Sequence, residues 1–70
     1  MRVFPNPSND VFTVQCEGLI SVEVFSVDGK LLGSLKANGA QCVISGLPEG
    51  VFLVKASTIT GDVIKRIVKL

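Results

Sequence analysis

The residue types that perform most enzyme chemistry are scarce in this sequence. It has no histidine, and its two cysteines are Cys16 and Cys42. A thiol nucleophile needs a base beside it, and two cysteines without histidine supply too few ligands for a zinc site. The sequence therefore predicts no catalytic group, no metal centre and no cofactor.

The two cysteines are open to two interpretations. An unactivated thiol behaves as a small apolar side chain, and both cysteines fall in predicted strands on faces predicted to point inward. A disulfide between Cys16 and Cys42 is the alternative, and it needs their Cα atoms to lie within about 7 Å. Opposing inner faces often exceed that distance, so the role of core filler is favoured.

The spacing of the acidic residues and glycines is typical of turns and not of a calcium-binding or phosphate-binding loop. Asp10, Asp28 and Asp62 stand in predicted turns and lack the spacing of a calcium-binding loop. The seven glycines are scattered singly, so no glycine-rich loop is available to hold a phosphate group. No small-molecule substrate is expected.

Composition and charge exclude two further classes of protein. Seven Lys and Arg against six Asp and Glu give a net charge of +1, which is too little for a nucleic-acid-binding face. The chain is 47% hydrophobic, but its apolar residues occur in short runs that cannot form a membrane-spanning helix. The first residues lack the layout of a signal peptide. We expect a single domain over residues 1–70.

The apolar and polar residues alternate in short segments, which is typical of half-buried strands. In the second of these segments, Ile20, Val22 and Val24 are predicted to point inward. Asp28-Gly29 and Asn38-Gly39 are predicted to form two-residue hairpin turns. Six strands are predicted, over residues 11–16, 20–24, 30–36, 40–44, 51–58 and 63–70. A short seventh strand is predicted at residues 2–4. Turns at roughly every 8–12 residues indicate an antiparallel β-sandwich.

The segment Phe4-Pro5-Asn6-Pro7-Ser8 precedes the main series of strands. Two prolines around an asparagine fix an extended and then turned backbone. Considered alone, this composition favours a linker boundary at the start of the domain.

Considered in order, the segments resemble the type A C-terminal sorting domain of the bacterial type IX (Por) secretion system. Nearly the whole chain takes part in the resemblance. Two departures are Ser26, where the family has an acidic residue, and phenylalanine in place of tyrosine at three positions. The matching segments are VFPNPSND (residues 3–10), VEVFSVDGK (22–30), VISGLPEGVF (43–52) and KRIVK (65–69).

The resemblance implies an all-β, immunoglobulin-like antiparallel β-sandwich of six to seven short strands, which is not an enzyme. It implies a signal that directs a fused cargo through the periplasm and across the outer membrane, so that the protein is secreted or held at the cell surface. The implied partners are the type IX machinery and a sortase-like cysteine protease. Candidate recognition residues are Pro5, Asn6, Pro7, Asp28, Gly29, Gly50, Lys65 and Lys69.

A generic immunoglobulin- or fibronectin-like spacer or adhesion module is the alternative. A carbohydrate-binding module is disfavoured because the chain has neither Trp nor Tyr to stack on a sugar. The last predicted strand, residues 63–70, is apolar on both faces and is expected at a sheet edge. Edge strands expose unpaired backbone groups, so this strand predicts a homodimer.

Overall fold

The computed structural model describes residues 1–70, which form seven strands and no helix. Strands β1, β2 and β5 form one antiparallel sheet, and β4, β3, β6 and β7 form the other, in those orders. The predicted all-β sandwich is confirmed. The strands are Arg2–Phe4 (β1), Phe12–Gln15 (β2), Leu19–Ser26 (β3), Leu31–Lys36 (β4), Gln41–Ile44 (β5), Gly50–Thr58 (β6) and Gly61–Lys69 (β7).

The core lies where the inner faces of the two sheets meet. Alternate residues of β2, β3 and β6 point into it, as expected for strands with one buried face. Burying one such side chain contributes about 1.5–3 kcal/mol of transfer free energy. The fold contains no helix that could span a membrane. The largest fully buried side chains are Phe12, Val14, Val22, Ile44, Val54 and Ile67.

The prediction that Ile20 points inward is wrong. The register between β3 and β6 shifts between Leu19 and Ser21, which indicates a β-bulge. Leu19 takes the buried position instead, and Ile20 is 54% exposed. A shift of one residue reverses the face of a side chain, so alternation beyond a bulge assigns the wrong face.

The turn between β3 and β4 has three residues rather than the predicted two. The Ser26 amide donates to the Lys30 carbonyl at 2.9 Å, and the Gly29 amide donates to the Ser26 carbonyl at 3.0 Å. Gly29 has a φ of 93°, and no residue other than glycine has a positive φ. The arrangement is a tight turn closed by a left-handed glycine, which a three-residue hairpin loop uses.

The turn after β4 also differs from its prediction. Asn38 pairs with Gln41, so that Gly39 and Ala40 lie between them, and Gly39 has a φ of 69°. Since β4 and β5 belong to different sheets, this turn carries the chain from one layer to the other.

Candidate recognition surface at the last strand

Strand β7 forms one edge of the four-stranded sheet. It pairs with β6 over its whole length, from Gly61 opposite Thr58 to Lys69 opposite Gly50. Ile67 is fully buried against the core, whereas the six residues before it are exposed. The prediction that the last strand lies at a sheet edge is confirmed.

Residues 6–8 lie against the other side of β7 and are called the latch below. The Asn6 side chain donates to the Arg66 carbonyl and accepts from the Val68 amide, both at 3.1 Å. The Ser8 amide donates to the Val68 carbonyl at 3.1 Å, and the Ser8 carbonyl accepts from the Leu70 amide at 2.8 Å. The prediction of a linker boundary here is wrong, because the latch is part of the sheet edge.

The sequence of the latch explains its geometry. Pro5 and Pro7 have no backbone N–H to donate to a neighbouring strand. The amide side chain of Asn6 lies between them and supplies one donor and one acceptor, as a peptide group would. This side chain therefore replaces the missing step of a backbone ladder.

Ser8 anchors the latch to the body of the domain. It is buried, and its hydroxyl donates to the Val11 carbonyl at 2.7 Å and accepts from the Asp10 amide at 3.2 Å. A buried hydroxyl without partners would destabilise the fold, so these bonds determine where the latch can lie. Ser8 was not among the predicted site residues, and only its place after the two prolines could have pointed to it.

The family described as the secretion system C-terminal sorting domain matches residues 2–70. The chain belongs to this family. The sorting domain is therefore the C-terminal signal for type IX secretion, and the protein that carries it is secreted or displayed on the cell surface. The family match supports this function over a generic spacer. No curated protein matches the chain.

The fold of the sorting domain brings together most, but not all, of the predicted recognition residues. Gly50 lies on β6 opposite Lys69, with β7 between it and the latch, and has a φ of 145° that favours glycine. Asp28 and Gly29 lie next to β4, at the opposite edge of the sheet. The residues gathered at the β7 edge are Pro5, Asn6, Pro7, Gly50, Lys65 and Lys69.

Ser26 organises the turn at the opposite edge. Its hydroxyl donates to the Asp28 carboxylate and accepts from the Lys30 amide at 3.1 Å. The bond from Ser26 lowers the pKa of Asp28, and backbone hydrogen bonds lower it further. Serine in the family's acidic position is therefore compatible with a closed turn.

Cys42 of the sorting domain lies on β5 of the three-stranded sheet, and Cys16 directly follows the end of the neighbouring strand β2. Cys42 pairs with Val14, and the Cys16 amide donates to the Ala40 carbonyl at 3.0 Å, so the cysteines are diagonal neighbours. Both thiols are free, and burial raises the pKa of Cys42. A raised pKa leaves less thiolate, which makes this thiol less reactive.

Proposed function

We propose that the type IX machinery recognises this domain in its folded form, at the edge formed by β7 and the latch. The observation that carries the proposal is the position of the last five residues. Residues 66–69 pair with β6 on one side and with the latch on the other, and the latch also binds the amide of Leu70, so this segment is part of the sheet. Lys65 and Arg66 are exposed on this strand, where a partner can reach their charges.

We propose further that the domain is a substrate and not an enzyme. A sortase-like cysteine protease would remove it after its cargo has passed through the periplasm and across the outer membrane. The chemistry of the chain supports this proposal, because its thiols have no histidine to activate them and Cys42 is disfavoured as a thiolate.

A fusion to a periplasmic reporter, in a host that has this secretion system, tests the proposal. Deleting residues 64–70 should abolish surface delivery, because it removes the buried Ile67 and the strand that the latch binds. Normal delivery of this truncated fusion would contradict the assignment of β7 as the recognised strand.

A charge series separates recognition from folding. Replacing Lys65, Arg66 and Lys69 together by glutamine should reduce delivery and leave the fold intact, since none of these side chains is buried. The matched control replaces Arg2, Lys30 and Lys36 by glutamine, which makes the same change in net charge away from β7. Lys55 is kept, because its ammonium lies 3.5 Å from the carboxylate of Asp62 on β7. Equal delivery by the two triple variants would show that the basic side chains of β7 are not what the machinery recognises.

Self-association through β7 is proposed as a second property of the same edge. The latch covers only the last part of the strand, and the part before Arg66 has no neighbour on its outer side. An uncovered edge of this kind can accept a strand from another chain.

A further inference from the structure

The backbone groups of β7 that face away from β6 can be assigned residue by residue. The latch binds the carbonyls of Arg66 and Val68 and the amides of Val68 and Leu70. Both backbone groups of a residue in an antiparallel ladder point to the same side, and the side alternates along the strand. The amides and carbonyls of Asp62 and Ile64, and the amide of Arg66, therefore point outward without a partner.

The side chains of this open stretch alternate between the two faces of the sheet. Asp62, Ile64 and Arg66 lie opposite Ser57, Lys55 and Leu53 of β6, which alternate with the buried residues of that strand. They are therefore on the outer face of the sheet. All three are exposed, and Ile64 is exposed by 64%. An acidic, an apolar and a basic side chain thus follow one another along one face of the free edge.

This order of charges is self-complementary under a twofold axis. An antiparallel copy centred on Ile64 places Ile64 opposite its own equivalent. The same register places Asp62 opposite Arg66 of the second copy, and Arg66 opposite Asp62. Directly opposed residues lie about 5.5 Å apart between Cα atoms, which is close enough for both ion pairs. Asp62 Oδ2 already lies 3.5 Å from Lys55 Nζ of the same chain, which leaves the second carboxylate oxygen for Arg66 of the other copy.

The same register uses the free backbone groups. The two Ile64 residues can exchange both of their hydrogen bonds, and each Arg66 amide can donate to the Asp62 carbonyl of the other copy. On the inner face of the sheet, Val63 of one copy lies opposite Lys65 of the other. The aliphatic part of the lysine side chain can cover the valine. Extension beyond Arg66 is blocked, because the latch occupies the outward groups of Val68. The latch therefore limits the contact to residues 62–66.

We propose that two copies of this domain pair through residues 62–66 of β7, antiparallel and centred on Ile64, to form one continuous eight-stranded sheet. The inference rests on the proposed self-association through β7 and supplies its register. A contact of five residues per copy is small, so the dimer is weak and populated at high concentration. Its two ion pairs are solvent-exposed, so added salt weakens it.

Sedimentation equilibrium on the 70-residue chain at low salt, up to millimolar concentration, tests the register. The parent should form dimers and no larger species. Arg66→Asp places two aspartates opposite each other, and Asp62→Arg does the same with two arginines. Each single variant should weaken dimerisation about tenfold or more, because like charges that face each other across strands are destabilising.

The double variant with Asp62→Arg and Arg66→Asp decides the proposal, because it restores both ion pairs with their signs exchanged. It should dimerise more strongly than either single variant and approach the parent. Recovery is incomplete, because Asp62→Arg also removes the ion pair with Lys55 within each copy. Lys36→Asp on β4 is the matched control, since it makes the same change in net charge as Arg66→Asp and should have no effect.

A monomeric parent, a double variant that stays monomeric while folded, or an equal effect of Lys36→Asp would each overturn the register. Circular dichroism verifies that every variant is folded. Export of the reporter fusion is measured separately, so a failure of this register leaves the recognition proposal to its own test.

Discussion

The two edges of the four-stranded sheet are built differently. At one edge, β4 pairs only with β3, and all six of its residues are exposed. At the other edge, β7 has β6 on one side, the latch on part of the other, and a fully buried residue, Ile67. The first edge could loosen with little loss of core packing, whereas loosening the second opens the core.

The difference between the two edges shows that this domain protects its edges in two ways. The register of β4 shifts where it passes Val24 and Phe25, and lysines flank it at positions 30 and 36. Irregular pairing and flanking charge both discourage the addition of another strand. The edge of β7 is regular, and over its last residues it is protected by direct hydrogen bonding to the latch.

The largest expected difference between the two edges is in side-chain burial. Ile67→Ala should lower the free energy of unfolding by about 2–5 kcal/mol, because it leaves a cavity in the core. Leu35→Ala, on β4, removes a side chain that is 39% exposed and should lower it by about 1 kcal/mol. Urea unfolding of both variants measures the difference, and equal losses would contradict the comparison.

The turn that leads into β4 should show the next largest effect. Gly29→Val forces a β-branched residue to a φ of 93° and should destabilise the fold by about 1–2 kcal/mol. Gly33→Ala is the control, because Gly33 lies within β4 at an ordinary φ, with open space around it. Thermal melting should separate the two variants. A Gly29→Val variant that melts with the parent would refute the turn geometry.

The latch itself is tested by Asn6→Ala. Losing both side-chain hydrogen bonds to β7 should lower the free energy of unfolding by about 1 kcal/mol, since Asn6 is exposed. The Val68 amide should then exchange its hydrogen faster. Asn38→Ala, in the turn after β4, is the matched control and should change neither quantity. Unchanged exchange at Val68 would show that Asn6 does not hold the strand.

A smaller, pH-dependent effect is expected at the turn before β4. The Ser26 hydroxyl holds the pKa of Asp28 below its usual value. A carboxyl whose folded pKa is lowered contributes stability above its unfolded pKa, and this contribution is lost as the pH falls through the folded value. The loss should begin below about pH 4. Carbon-13 NMR titration of the carboxyl checks this, and Ser26→Ala should move the pKa back towards its usual value.

The redox state of the cysteines should have the smallest effect on stability, since both cysteines lie away from the edges of the four-stranded sheet. Diagonal neighbours across antiparallel strands are about 7–8 Å apart between Cα atoms, which is more than a disulfide normally spans. We expect Cys16 and Cys42 to stay free in an oxidising buffer, with no change in melting temperature on reduction. An intact mass lower by two hydrogens would show that the disulfide forms.

The sequence was sufficient for the elements of the fold that depend on local pattern. Alternation located the strands, and the Asp28-Gly29 pattern located the turn before β4, where Gly29 has a positive φ. It was insufficient at Ile20, because a bulge depends on the partner strand and leaves no mark on the alternation. It also missed the latch, because Asn6 bonds to residues some 60 positions away through a side chain. Pairing at that range has no local signature.

The direction of the latch has a mechanical consequence. Ser8 pairs with Lys69 in parallel, so the start of the latch and the end of β7 lie at opposite ends of their contact. A pull applied to the chain before residue 6 and to the far end of β7 would slide the two segments past each other. Such shear loads the hydrogen bonds of Asn6 and Ser8 together instead of breaking them one by one.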